Sequence, residues 1–460
     1  PFNDFETGAG NPAITDAIAR LNDLNYINNQ TGRPRLVNST TGQLDAQTVF
    51  RGSSPGVEVG PYLSQFLLLG NTDRNGGGSV AQGLINYGVL NIDQRVPIAE
   101  PGQDYMVTMA DYVEVQRGLD PGSEAYVPEP NPPANIPPRP AYRFISTPRD
   151  LATYVHHDAL YEAYLNACII LLGMGTPFDP GFDHLSGVGA AAAQGTTRRH
   201  ANGFALYGGP HILTLVTEVA TRALKAVRFQ KFNSHLRLRP EALAARVELS
   251  RLNANGALPA NAEVPRPLIT HMDSFRQILE SNNAGTPNST LSAIMNGTGA
   301  GTMFLPMAFS EGSPMHPAYG AGHATVAGAC VTVLKAFFDT SAVLAQTMPN
   351  GPVSFKRLEA NDDPIAYRAP GLPAGAGNLV PFNPSEFLTL EGELNKLAAN
   401  ISIGRNMAGV HYFTDYYDSL RMGEAIAIGM LEEQALTYST DPFVLSVPTF
   451  DGDVVRIGRR

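Results

Sequence analysis

From Ser146 onward the apolar residues fall into a rhythm that favours packed helices over most other architectures. Ser146-Thr147-Pro148-Arg149-Asp150 offers an N-cap, a proline at the first helical position and an acid at the third. Leu151, Val155, Ala159, Leu165 and Ile169 then recur at helical spacing, which predicts one long helix over 148–173. Pro210 opens a second, with Ile212, Leu213, Val216, Val219, Ala220 and Leu224 on one face. Others are expected near 240–250, 270–281, 323–338, 386–405 and 414–436, the last with Thr414 and Asp415 as start signals. Strand-like alternation is confined to short pieces such as 443–447 and 454–457. The predicted class is mainly α: helical bundles, in two four-helix-bundle-like halves, with long wrapping loops and only short strands.

Residues 1–145 behave differently. Breakers dominate, with Asn75-Gly76-Gly77-Gly78-Ser79 and eight prolines between Pro121 and Pro140. The expected organisation is an irregular N-terminal wrapping region (1–145) anchored by Tyr126, Val127 and Ile136, a helical-bundle core (146–440) and a C-terminal tail (441–460). A hydrophobic share of 43% against 16% charged residues suits a large buried core and excludes disorder as the main state. The longest apolar run, around 167–174, is far short of the ~20 residues that span a bilayer, so no membrane span is expected. A net charge of −10 argues against nucleic acid as a partner. Cys168 and Cys330 each lie in an apolar run and read as buried thiols, not as a disulfide framework. The compartment stays open, with a secreted, periplasmic or cell-surface location expected.

Chemistry concentrates in three segments: Lys231-Phe-Asn-Ser-His235-Leu-Arg237-Leu-Arg239-Pro240, Ser313-Pro-Met-His316-Pro-Ala-Tyr-Gly-Ala321-Gly322-His323-Ala324, and Gly404-Arg405-Asn406-Met-Ala-Gly-Val-His411-Tyr412. Lys231 and Arg239 on one continuous helix would be ~12 Å apart along its axis, which fits a solvated basic face as well as a site. Pro240 pushes Arg239 out of the α region, so Arg239 is expected to end the helix and turn back toward Lys231. Arg405 and His411 would diverge by ~120° on one helix. A helix end at Ala408-Gly409 would let both face one pocket, although a surface arginine and a structural histidine fit that spacing too. Gly320 and Gly322 lie just before His323 at the start of an apolar helix, where backbone N–H groups bind anions. Together the segments supply cations, an amide and histidines suited to an oxyanion in a dry site.

The order and spacing of these motifs resemble the vanadium-dependent haloperoxidases, and more broadly the type-2 phosphatidic acid phosphatases that share their site. The stretches Ile145-Ser-Thr-Pro-Arg-Asp-Leu-Ala-Thr-Tyr-Val-His-His-Asp158 and Ser313-Pro-Met-His-Pro, and residues 145–435 generally, are similar to the algal and cyanobacterial bromoperoxidase branch. The resemblance implies vanadate, vanadium(V), as cofactor. It implies His411 as the metal ligand, His323 as acid/base, and Lys231, Arg239, Arg405 and the Gly322 N–H as holders of the vanadate oxygens. Lys231 is also implied to polarise bound peroxide. Position 321 departs from the family pattern, being alanine where serine is usual, so one hydroxyl is missing. Arg228 and His316 stand where the bromoperoxidases carry arginine and histidine, which implies bromide and iodide over chloride, with His316 titrating in the working range.

The implied reaction is oxidation of bromide or iodide by hydrogen peroxide to a hypohalous acid that halogenates small organic acceptors, and a homo-oligomer, dimer or larger, is expected. The alternative is an acid phosphatase with His411 as nucleophile and His323 as general acid. His156-His157-Asp158 suggests a divalent metal, but adjacent helical residues point ~100° apart, so none is expected there. The glycine run at 297–301 lacks a preceding strand, so a dinucleotide site is not expected.

Overall fold

The computed structural model describes residues 12–23, 32–71, 80–119, 122–130, 132, 137, 139–181, 183–186, 203–204, 206–258, 270–274, 276–277, 302–346, 351–370, 377–438 and 441–459. Its main helices are α1 (Pro12–Asn22), α2 (Met109–Gln116), α3 (Pro148–His157), α4 (Glu162–Gly173), α5 (Gly209–Gln230), α6 (Pro240–Ala254), α7 (Gly322–Phe337), α8 (Leu390–Met407) and α9 (Phe413–Ala435). Strands among the described residues are two to six residues long and pair antiparallel, as in 84–87 with 90–93, 343–346 with 353–356 and 443–448 with 454–459. The chain is mainly α, as expected. The glycine run at 297–301 and most of the helix expected near 270–281 lie outside the described residues.

The expected 148–173 helix is two helices. Thr147 caps α3 through a box with Asp150, as its sequence indicates, but the chain turns extended at Asp158 (ψ 141°) before α4 starts. Thr153 and Tyr154 keep the helical pattern unbroken up to that point. The break follows from tertiary contacts, because Asp158 is engaged by a histidine far away in sequence.

α7 is the axis of the bundle, apolar on all sides and buried almost throughout. Such a helix must be covered by others. α5 runs antiparallel to it: Leu224 faces Gly322, and Cys330 donates to the Val216 carbonyl. α8 is also antiparallel, with the Lys335 ammonium donating to Asn395 Oδ1 at 3.2 Å. α9 runs parallel, since Ser419 meets Ala321 while Gly423 meets Thr325 and Ala329. The α7–α9 seam depends on glycine: a Cβ on Gly328 would stand 1.9 Å from the Leu420 carbonyl oxygen, and one on Gly423 2.0 Å from that of Thr325. The N-termini of α7 and α9 therefore share one end of the bundle with the C-termini of α5 and α8. Both cysteines are buried free thiols. Among the described residues no helix is long and apolar enough to cross a membrane.

Candidate active site

The three segments meet at that end of the bundle. α5 closes in a π-helical turn over Lys231–His235, Leu236 takes a left-handed conformation, and Arg239 is extended (ψ 152°) as the N-cap of α6. Arg239 thus opens the next helix and does not end the previous one, although Pro240 enforces the extended backbone as expected. Gly409 (φ +83°) ends α8 two residues after Met407, and His411 directly precedes the Tyr412 N-cap of α9. Gly322 is the first residue of α7, with Ala321 as its N-cap.

Each histidine is held by a carboxylate that fixes its tautomer. His411 Nδ1 donates to Asp415 Oδ2 at 3.0 Å, which leaves Nε2 with the lone pair, facing Arg239 Nη1 at 3.0 Å. His323 Nε2 donates to Asp158 Oδ1 at 3.0 Å, which leaves Nδ1 as the basic nitrogen. Burial, then Arg239, Lys231 and Arg405, hold His411 well below the ordinary imidazole range, so it is neutral and able to coordinate. Asp415 is fully buried and also accepts from Arg237 at 2.8 Å.

Three buried cations surround His411. Lys231 is pushed down to about 7 by burial and Arg239, while burial brings Arg239 and Arg405 to about 10. Lys231 Nζ donates to the Pro317 carbonyl at 2.8 Å, and Arg239 to His316 O and Val410 O at 2.8 Å each. Arg405 donates to Val155 O at 2.9 Å, yet its Nε is buried with no hydrogen-bond partner. Concentrated positive charge with an unpartnered buried N–H, at two helix N-termini, suits an anion. A tetrahedral oxyanion with one open coordination position suits this donor set, and vanadate is such a group.

The structure brings Lys231, Arg239, Gly322, His323, Arg405 and His411 together. His316 is there too, its Nδ1 accepting from Arg239 at 2.9 Å. It does not titrate near neutrality as expected, because burial, Lys231 and Arg239 push it down to about 4. Arg228 is exposed, with its guanidinium 5.4 Å from the Phe232 ring centre. The side chain missing at Ala321 has a hydroxyl nearby from another helix, for the Ala321 N–H donates to Ser419 Oγ at 2.8 Å. Sequence reasoning did not single out Asp158 or Asp415 as partners of the histidines. His411 and Asp415 are a readable i, i+4 pair at a helix start. Asp158 has no local signal, being 165 residues from His323. A mainly apolar cavity of about 360 Å³ shares His411 but none of the three cations; Leu21, Phe50, Ile403, Met407 and Phe413 line it.

Known proteins resemble the chain over nearly its whole length. A family model described as the VCPO second helical-bundle domain matches residues 292–437. Vanadium-dependent bromoperoxidases from Corallina pilulifera and Corallina officinalis are each 40% identical to the chain, covering 99% of it and 71% of their own length. One from Ascophyllum nodosum is 29% identical over 89% of this chain and 61% of its own. The solved homohexameric structure of the second vanadate-dependent bromoperoxidase of A. nodosum superposes with a TM-score of 0.66 at 24% identity, covering 100% of this chain and 68% of that one. That superposition shows a shared fold.

Proposed function

The chain belongs to the vanadium-dependent bromoperoxidases, oxidoreductases whose cofactor is vanadate, and from that premise we propose how its own residues run the reaction. When bound, vanadate supplies a Lewis-acidic vanadium(V) centre that activates hydrogen peroxide toward halide. His411 would be its single protein ligand, through the Nε2 lone pair left by the Nδ1 bond to Asp415. Arg239, whose N–H faces His411 Nε2, would donate to an oxygen of the anion. Arg405, Lys231 and the Gly322 N–H would hold further oxygens, and the N-termini of α7 and α9 add positive potential. His323 takes the peroxide proton at Nδ1, with Asp158 steadying the imidazolium through Nε2. Lys231 draws electron density from the peroxide. Halide would take one peroxide oxygen as the O–O bond breaks, the other oxygen would leave as water with the proton returned by His323, and the hypobromous or hypoiodous acid would halogenate small organic acceptors outside the pocket.

Arg228 and His316 make the halide approach polar, which favours bromide and iodide over chloride. The functional division is a wrapping arm to residue 145, a catalytic core over 146–440 and a tail over 441–460. Assembly as a homo-oligomer is supported by exposed apolar side chains such as Phe204, Phe229, Phe232 and Leu236.

The observation that carries this reading is a neutral, carboxylate-oriented His411 imidazole among three buried cations. The test is to reconstitute the protein with vanadate and assay bromination beside aryl-phosphate hydrolysis. Bromination that excess phosphate suppresses during reconstitution is expected. Phosphate hydrolysis without bromination would overturn the reading in favour of a phosphatase.

A further inference from the structure

The carboxyl end of α3 carries a cluster the mechanism does not use. His156 and His157, adjacent on the last turn, have ring centres 4.6 Å apart at 66°. They are joined by Glu124 from the proline-rich arm, which is pinned by the Glu100 N–H to Ala125 O and Val127 N–H to Ile98 O bonds, each 2.9 Å. His156 Nε2 stands 3.4 Å from Glu124 Oε1, and His157 Nε2 3.8 Å from Glu124 Oε2. One ligand atom from each residue lies within 4.8 Å of the others. Ligands about 2.0–2.1 Å from a tetrahedral Zn2+ stand about 3.3–3.4 Å apart, so the His156–Glu124 gap is already near the required size and the His157 side must close by a few tenths of an ångström or more. The divergence of neighbouring helical side chains, which argued against a metal here, is offset because the third ligand approaches from the arm.

The cluster is also short of protons. The Tyr126 hydroxyl meets both Glu124 and His157 Nε2, the latter at 2.7 Å, and its one proton serves one of them. Glu124 Oε1 is buried and makes no hydrogen bond. Glu311 brings a second carboxylate 3.2 Å from His156 Nε2. His156 cannot supply positive charge near neutrality, since burial and then His157 push it down to about 4, and its ring is stacked on Phe309 at 3.8 Å. Two carboxylates and two imidazoles with surplus lone pairs, on a pre-oriented frame, suit a cation.

We propose that Glu124, His156 and His157 bind a divalent transition-metal ion of the zinc type, with Glu311 or water completing the shell, at a site separate from the vanadate pocket. Two imidazoles with one carboxylate favour Zn2+ over Ca2+ or Mg2+, which prefer all-oxygen shells. The ion would tie the arm to the end of α3, next to Asp158.

The experiment uses vanadate-loaded protein, stripped of adventitious divalent ions, titrated with Zn2+ and then Co2+ in a buffer free of phosphate. Wild type should bind one more Zn2+ per chain than Glu124→Gln or His157→Ala, or bind that ion at least tenfold more tightly, and Ca2+ should not compete. Co2+ in wild type should give the visible absorption of a tetrahedral nitrogen–oxygen site. Equal Zn2+ stoichiometry and affinity in wild type and the half-exposed His157→Ala variant would overturn the proposal. So would a Co2+ spectrum of the hexaaquo type in wild type, a reading that does not depend on any variant folding. Neither readout involves bromination, so failure here leaves the proposed function standing.

Discussion

Replacing Gly328 by alanine should damage stability and turnover together, because the seam it occupies positions both histidines. The new Cβ would lie 1.9 Å from the Leu420 carbonyl oxygen, 2.9 Å from its carbon and 3.2 Å from the Glu424 nitrogen. Those are backbone atoms of α9 and cannot rotate away, so α7 and α9 must part by about 1.4 Å to reach an ordinary C–H···O contact of about 3.3 Å. Forced overpacking costs about 1–3 kcal/mol, of which better helix propensity returns less than 1 kcal/mol. His323 lies five residues before Gly328 on α7, and His411 immediately precedes α9, so the shift reaches the site. A misplacement of about 1 Å can cost on the order of a hundredfold in rate. Gly429 on the same α9 provides the control, since a Cβ there meets nothing within 4 Å and Gly429→Ala should stabilise slightly. Denaturant midpoints and bromination kcat for both variants check this. Gly328→Ala with wild-type stability and turnover would refute the packing argument.

Three further outcomes follow from the site. Lys231 is lowered to about 7, and an anion beside it favours its charged form, so phosphate binding to vanadate-free protein at pH 8 should take up a proton and weaken as pH rises above about 7. Calorimetry in buffers of different ionisation enthalpy should show that uptake in wild type and not in Lys231→Met; equal uptake in both would assign it elsewhere. Asp158→Ala should cut turnover about 10–100-fold while vanadium content is kept, since it orients His323 and does not touch the metal ligand; an unchanged kcat would remove Asp158 from the mechanism. The Arg228→Trp, His316→Phe double variant should raise the chloride-to-bromide turnover ratio, and an unaltered ratio, or equal wild-type turnover of both halides, would refute the polarity account.

The site was legible where backbone chemistry is local. Pro240 makes Arg239 extended, Gly409 ends α8 so that Arg405 and His411 converge, and Gly322 starts a helix. Each is a rule about one residue and its neighbours. What the sequence concealed depends on contacts distant in the chain. Asp158 ends α3 early while engaging His323, a partner no periodicity can name. Ser419 reaches Ala321 across the helix seam, and Glu124 reaches two histidines from an arm whose path composition does not specify. An isolated imidazole at position 316 would titrate near neutrality, but burial and then Lys231 and Arg239, which local sequence does not place beside it, keep it neutral.

The central claim is that one imidazole nitrogen, His411 Nε2, links vanadium to the protein, and metal content tests it most directly. Wild type and His411→Ala, both reconstituted with vanadate and freed of excess, should be compared for vanadium per chain by elemental analysis, with circular dichroism confirming the helices. The account predicts one vanadium per chain in wild type and its loss, with bromination, in the folded variant. Stoichiometric vanadium and full activity in His411→Ala would contradict it.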